Sequence, residues 1–139
     1  MVIDDSLSVR RVTTNLLRSF GWDVIDAKDG VDALEKLAAA DTPPDIFLCD
    51  MEMPRMDGLE LVNRIRSQKE FTSTPVVMVT SRAGEKHRKL AREAGADEHV
   101  VKPFNDEGLM NLVERMVAEH REMVGVLSLI HISEPTRPY

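Results

Sequence analysis

The sequence predicts an α/β domain built on a five-stranded parallel sheet, doubly wound, with helices on both faces. Two observations carry that prediction. Short apolar runs alternate with helical patterns five times along the chain. The clearest runs, residues 46–49 and 76–79, are apolar at consecutive positions, which is the pattern of strands buried on both sides by helices. Right-handed crossovers leave few topologies for such an alternation.

Each element follows in turn. Residues 1–4 form the first strand, shorter than the about five or six residues usual for one. Val9, Val12, Leu16 and Phe20 recur at helical spacing, and Gly21 ends that helix. Val24-Ile25 marks the second strand. Asp29 caps the next helix, with Val31, Leu34 and Leu37 on one face, and Thr42-Pro43-Pro44 breaks the chain. Ile46-Phe47-Leu48-Cys49 is the third strand and ends at Asp50. A loop rich in Met, Pro and Gly leads to a helix carrying Leu61, Val62 and Ile65. Val76-Val77-Met78-Val79 is the fourth strand and ends at Thr80. A helix with Leu90, Ala91 and Ala94 stops at Gly95. His99-Val100-Val101 is the last strand and ends at Lys102-Pro103. Asn105 caps the final helix, whose stripe is Leu109, Leu112, Val113, Met116 and Val117.

Composition bounds the function. A chain of 139 residues holds one domain with a core of its own. A formal net charge of -6 disfavours direct nucleic-acid binding, which needs a basic surface. No apolar run approaches a membrane span, and Met1-Val2-Ile3 runs into Asp4-Asp5 with no secretory leader pattern. The single Cys49 excludes an internal disulfide framework and suits a reducing compartment, so a cytoplasmic location without membrane contact is expected.

The polar residues fall at strand ends: Asp4 and Asp5 after the first strand, Asp50 after the third, Thr80 after the fourth and Lys102 after the fifth. Open parallel sheets bind ligands at the carboxyl ends of their strands. Three carboxylates brought together there repel one another. A hard divalent cation with oxygen ligands relieves that repulsion, and Mg²⁺ suits two carboxylates plus water and phosphate oxygens. Lys102 offers a mobile positive charge and Thr80 one hydrogen-bond donor. A carboxylate attacks phosphorus to form an acyl phosphate, and the cation and ammonium stabilise the transferring group.

Val2-Ile3-Asp4-Asp5-Ser6, Asp50-Met51-Glu52-Met53-Pro54-Arg55-Met56-Asp57-Gly58, Val79-Thr80-Ser81 and Val101-Lys102-Pro103-Phe104 together resemble the motifs of response-regulator receiver domains. The resemblance covers about residues 1–122. It implies a flavodoxin-like fold with strand order 2-1-3-4-5, an order for which the handling of ligands at the switch point is well described. It implies Asp50 as phosphoacceptor, Asp5 and Asp50 as Mg²⁺ ligands with Asp4 acting mainly through water, and the Glu52 backbone carbonyl completing the protein ligands. Thr80 and Lys102 then grip the phosphoryl group, and Lys102-Pro103 is a cis bond. The implied donor is a histidine kinase or a histidine phosphotransfer domain. The domain would catalyse its own phosphorylation and dephosphorylation without being a turnover enzyme.

One position departs from the family pattern. His99 stands where a Tyr or Phe usually swings inward with the threonine, which puts that switching step in question. The stretches 6–13 and 79–88 are similar to receivers fused to chemotaxis-type hybrid histidine kinases, so a phosphate sink or partner-binding receiver within such a kinase is the alternative. A haloacid-dehalogenase-type phosphatase would need a second Asp two residues after its nucleophile, and a flavodoxin-like cofactor site would not place Asp4-Asp5 against a phosphate. Met51, Met53 and Met56 are expected to cover the core, Cys49 to be a small buried hydrophobe and Trp22 to pack.

Residues 127–137 read LSLIHISEPTR, which resembles the translation of a sequencing-library adapter. The expected division is a receiver over 1–122 with a shortened first strand, the end of natural sequence over 123–126, and a disordered or non-native tail over 127–139.

Overall fold

The computed structural model describes residues 1–130. The chain runs β1 (Val2–Ile3), α1 (Leu7–Ser19), β2 (Asp26–Ala27), α2 (Gly30–Ala39), β3 (Phe47–Asp50), α3 (Gly58–Arg66), a 3₁₀ turn (Lys69–Phe71), β4 (Val76–Thr80), α4 (Glu85–Ala94), β5 (Glu98–Val101) and α5 (Asp106–Ile130). The strands form one sheet in the order β2-β1-β3-β4-β5, and every pairing is parallel. The expected doubly wound sheet is therefore present, with its order reversing beside β1.

Alternation along each strand divides the core in two. Ile3, Ala27, Phe47, Cys49, Val76 and Met78 face α2, α3 and α4, where Ala33, Leu37, Leu61, Val62, Ile65 and Ala91 meet them. Val2, Leu48, Val77 and Val79 face the other way, onto Leu17 of α1 and Leu109, Met110, Val113, Met116 and Val117 of α5. Phe47 and Phe71 meet edge to face at 5.5 Å. Met51, Met53 and Met56 lie buried under the loop after β3, and Trp22 packs against the α1–α5 side, both as expected.

Several boundaries differ from the sequence reading. The second strand begins at Asp26, two residues after Val24, because short β1 offers pairing only to Asp26 and Ala27; Ile25 contributes its carbonyl to Val2 N. On α1 the buried face is Thr13, Thr14 and Leu17, while Val12 and Phe20 are exposed. Val31 and Leu90 are likewise exposed, and Gly30 and Ala91 take the inward positions. These helices turn small residues toward the sheet, a choice that periodicity of large apolar residues does not reveal. Helix α5 runs through Ile130 and so takes in residues 127–130 of the expected disordered or non-native tail. Nothing between 118 and 130 breaks it, the first proline beyond Pro103 being Pro135. Residues 131–139, the rest of that expected tail, lie outside the described residues.

Candidate acidic site at the carboxyl edge of the sheet

The chain ends of β1, β3, β4 and β5 bring the polar residues onto one rim. Asp4 follows β1 and is buried, Asp5 is exposed, Asp50 closes β3 in a buried position, and Thr80 closes β4 with no exposed surface. Carboxylate oxygens of Asp4, Asp5 and Asp50 lie within 4.8 Å of one another. The Asp4 carboxylate also orders the turn into α1: its Oδ1 accepts from Ser6 N at 2.9 Å, and Ser6 caps the helix through Val9 N.

Lys102 reaches in from the end of β5. Its Nζ donates to Asp4 Oδ2 at 3.0 Å and Asp50 Oδ1 at 3.2 Å. Burial works against its charge, but hydrogen bonds and attraction from Asp4 and Asp50 hold its pKa above the ordinary lysine value. One ammonium cannot balance three carboxylates. Burial, and then the charge of Asp4, push the Asp50 carboxyl up to about 7 despite Lys102. The cis Lys102–Pro103 peptide bond follows, as the resemblance implied.

The loop after β3 is tightly fixed. Gly58 N donates to Met51 O at 2.9 Å, and a Cβ on Gly58 would collide with the Asp50 carbonyl oxygen and the Met51 Cα. Arg55, with φ of 68°, donates to Asp29 Oδ2 at 2.6 Å, while Asp29 Oδ1 caps α2 through Asp32 N. Asp57 caps α3 through Glu60 N. Backbone and side chains thus hold Asp50 and Glu52 from both sides.

Sequence reasoning placed Asp4, Asp5, Asp50, Thr80 and Lys102 on one rim, and they meet there. It gave Glu52 a role through its backbone carbonyl, and read its side chain as a second acid at the edge of the site, bearing on water access and hydrolysis in a direction the sequence does not set. The Glu52 side chain instead accepts hydrogen bonds from Thr80 Oγ1 and from Ser81, and these hold its pKa below the usual glutamate value although burial opposes them. The signal available was the carboxylate two residues beyond Asp50, across from two consecutive hydroxyl residues; its direction was not readable. Arg55 and Ser81 were likewise missed. His99, on β5, lines a surface pocket with Arg88 and Arg92, and neither ring nitrogen has a hydrogen-bond partner among the described residues.

A flavodoxin-like sheet with three carboxylates and a lysine at its carboxyl edge defines a receiver-type signalling fold. The chain belongs to the response regulator receiver domain family, whose profile matches residues 1–114. It is 43% identical over 117 residues to the Protein PilG of Pseudomonas aeruginosa, covering 84% of this chain and 85% of that one. It is 34% identical over 117 residues to the sensor histidine kinase CheAY of Helicobacter pylori, covering 84% of this chain and 15% of the kinase. Among solved structures it resembles the Vibrio cholerae chemotaxis protein CheY4, with a TM-score of 0.77 and 34% identity over 83% of this chain and 94% of that one. Its relatives thus include chemotaxis and two-component signalling proteins. Among the described residues, no helix is long and apolar enough to cross a membrane.

Proposed function

We propose that the domain accepts a phosphoryl group on Asp50 from the phosphohistidine of a histidine kinase or phosphotransfer domain, in the cytoplasm, and that this changes its partner contacts. The observation that carries the reading is the position of Asp50: buried at a strand end, within 4.8 Å of two other aspartates and 3.2 Å from Lys102. The donor set is carboxylate oxygen alone, without thiol or imidazole, which fits a hard divalent cation such as Mg²⁺. Asp5, Asp50 and the Glu52 carbonyl would hold it, with Asp4 acting through water. When bound, Mg²⁺ supplies positive charge to the phosphoryl oxygens.

The remaining chemistry belongs to the chain. An Asp50 carboxylate oxygen forms a bond to phosphorus while the phosphorus–nitrogen bond of the donor breaks. The imidazole leaves with that electron pair and takes up a proton. Lys102 turns part of its charge from Asp50 to a phosphoryl oxygen, and Thr80 offers its hydroxyl proton to another.

The test is incubation with Mg²⁺ and a small phosphodonor, with the label mapped by mass spectrometry. A single label on Asp50, absent from Asp50→Ala, is expected. Undiminished labelling of Asp50→Ala refutes the assignment.

A second reading is favoured by His99: a receiver that takes phosphate within a hybrid histidine kinase with little conformational output. The matched region of a kinase in the same family makes that arrangement concrete. NMR of wild type and His99→Tyr, with and without a phosphoryl analogue, separates the two. A response confined to the acid cluster in wild type, and spreading to β5 in His99→Tyr, supports the second reading.

A further inference from the structure

Glu52 spans the gap between the loop after β3 and the end of β4. Its Oε2 accepts from Thr80 Oγ1 at 2.7 Å. Its Oε1 accepts from the Ser81 amide at 3.0 Å and the Ser81 hydroxyl at 2.8 Å. Thr80 Oγ1 in turn accepts from Arg82 N at 3.0 Å. One carboxylate therefore organises three consecutive residues of the turn between β4 and α4.

A threonine hydroxyl has one proton to give. While Thr80 gives it to Glu52, it has none for an oxygen on Asp50. We infer that Glu52 is a positioning residue that latches Thr80 and the β4–α4 turn in the unphosphorylated arrangement, and that a phosphoryl group on Asp50 opens the latch. This rests on Asp50 being the phosphate acceptor.

Three arguments support it. First, the bonds are charge-assisted and short, so the closed arrangement is the favoured one without phosphate. Second, a phosphoryl group brings roughly two negative charges to the rim. It repels the Glu52 carboxylate and competes as acceptor for the same Thr80 proton. Third, the backbone that carries Glu52 is pinned. Met51, Met53 and Met56 are buried, Arg55 is tied to Asp29, and Gly58 abuts the Asp50 carbonyl. Opening is therefore a rotation of the Glu52 and Thr80 side chains, with Ser81 and Arg82 released together. Opening the latch takes up part of the free energy of phosphoryl binding, so apparent affinity is lowered by the fraction of molecules already open.

The test uses beryllofluoride with Mg²⁺ as the phosphoryl analogue, on the full chain. Glu52→Asp keeps the charge but shortens the side chain by one methylene, so it loses reach. Ser81→Ala removes one bond without touching any charge, at an exposed position where folding is not at risk. The latch predicts affinity about tenfold tighter in Glu52→Asp and about threefold tighter in Ser81→Ala, from the worth of charged and ordinary hydrogen bonds. It also predicts that the Ser81 and Arg82 amide signals of unliganded Glu52→Asp move toward their positions in liganded wild type. Equal affinity in all three proteins, or unmoved amides, overturns the latch while leaving Asp50 as acceptor. Failure of all three to bind the analogue overturns the acceptor reading, and the latch with it.

Discussion

Lys102 donates to Asp50 at 3.2 Å across 52 residues of sequence, joining the ends of β5 and β3. The contact matters because Asp50 and Asp4 are both buried carboxyl groups that repel each other when ionised, and Lys102 is a cation that touches each of them. Removing one partner from such a cluster leaves the other charges uncompensated. Lys102→Ala is expected to lose about 3 kcal/mol of stability at neutral pH without divalent cation. Lys102→Ala combined with Asp50→Asn recovers much of that loss. Urea midpoints of the two variants check it.

Divalent cation is expected to act on the same repulsion from outside the protein. A ligand that binds only the folded state stabilises by about 2.7 kcal/mol at a hundredfold excess over its Kd. Mg²⁺ therefore raises the melting temperature of wild type, and chelator reverses the gain. Asp50→Asn starts out more stable than wild type in chelator, because one of three clustered carboxylates is gone. It then gains little from Mg²⁺, and so does Asp5→Asn. Thermal melts with and without Mg²⁺ read both effects. A wild-type protein indifferent to Mg²⁺ would count against a cation site formed by Asp4, Asp5 and Asp50.

Much of this site was legible in sequence because strand ends in a parallel sheet converge by topology. Once 46–49 and 76–79 read as buried strands, Asp50 and Thr80 had to share a rim, and Lys102 had to join them. What stayed hidden depends on side-chain rotation and on small residues. Glu52 lies in a loop, where no periodicity sets the direction of its carboxylate, so its bonds to Thr80 and Ser81 were not readable. Gly30 and Ala91 supply inward positions that larger neighbours, Val31 and Leu90, obscured. Arg55 takes a left-handed backbone conformation that its residue type does not advertise.

His99 carries two ring nitrogens that are buried and make no hydrogen bond among the described residues. An unsatisfied polar atom costs free energy that an apolar group of similar shape does not. His99→Phe is expected to stabilise by about 1 kcal/mol. Burial, with Arg88 and His87 adding to it, lowers the His99 pKa below the ordinary 6.5, while Glu52 and Glu85 pull the other way. The unfolded chain therefore takes up this proton first as pH falls, which penalises the fold. The advantage of His99→Phe should grow as pH drops through the ordinary histidine range. Denaturant midpoints at several pH values test the sign.

The Met1 amino group gives a further expected dependence of stability on pH. It donates to Ile46 O at 2.8 Å from a buried position beside the sheet, and Met1 O accepts from Leu48 N. Burial lowers its pKa from 8.0 to about 5, against a smaller pull upward from Asp45. Between those values the unfolded chain holds a proton that the folded chain has lost, so the amino group's own contribution to stability rises as pH climbs from about 5 to about 8, against the opposite contribution of Asp50 below about 7. The full difference is on the order of 4 kcal/mol. Adding residues ahead of Met1 replaces the ammonium with a neutral amide N–H that keeps the bond to Ile46 and also lets β1 lengthen. The extended chain is expected to be more stable at pH 6, with a flatter pH profile above pH 5. His99 titrates with the same sign in both proteins, so the difference between their profiles isolates the amino group. Parallel profiles with equal midpoints would show that the buried amino terminus carries no such penalty.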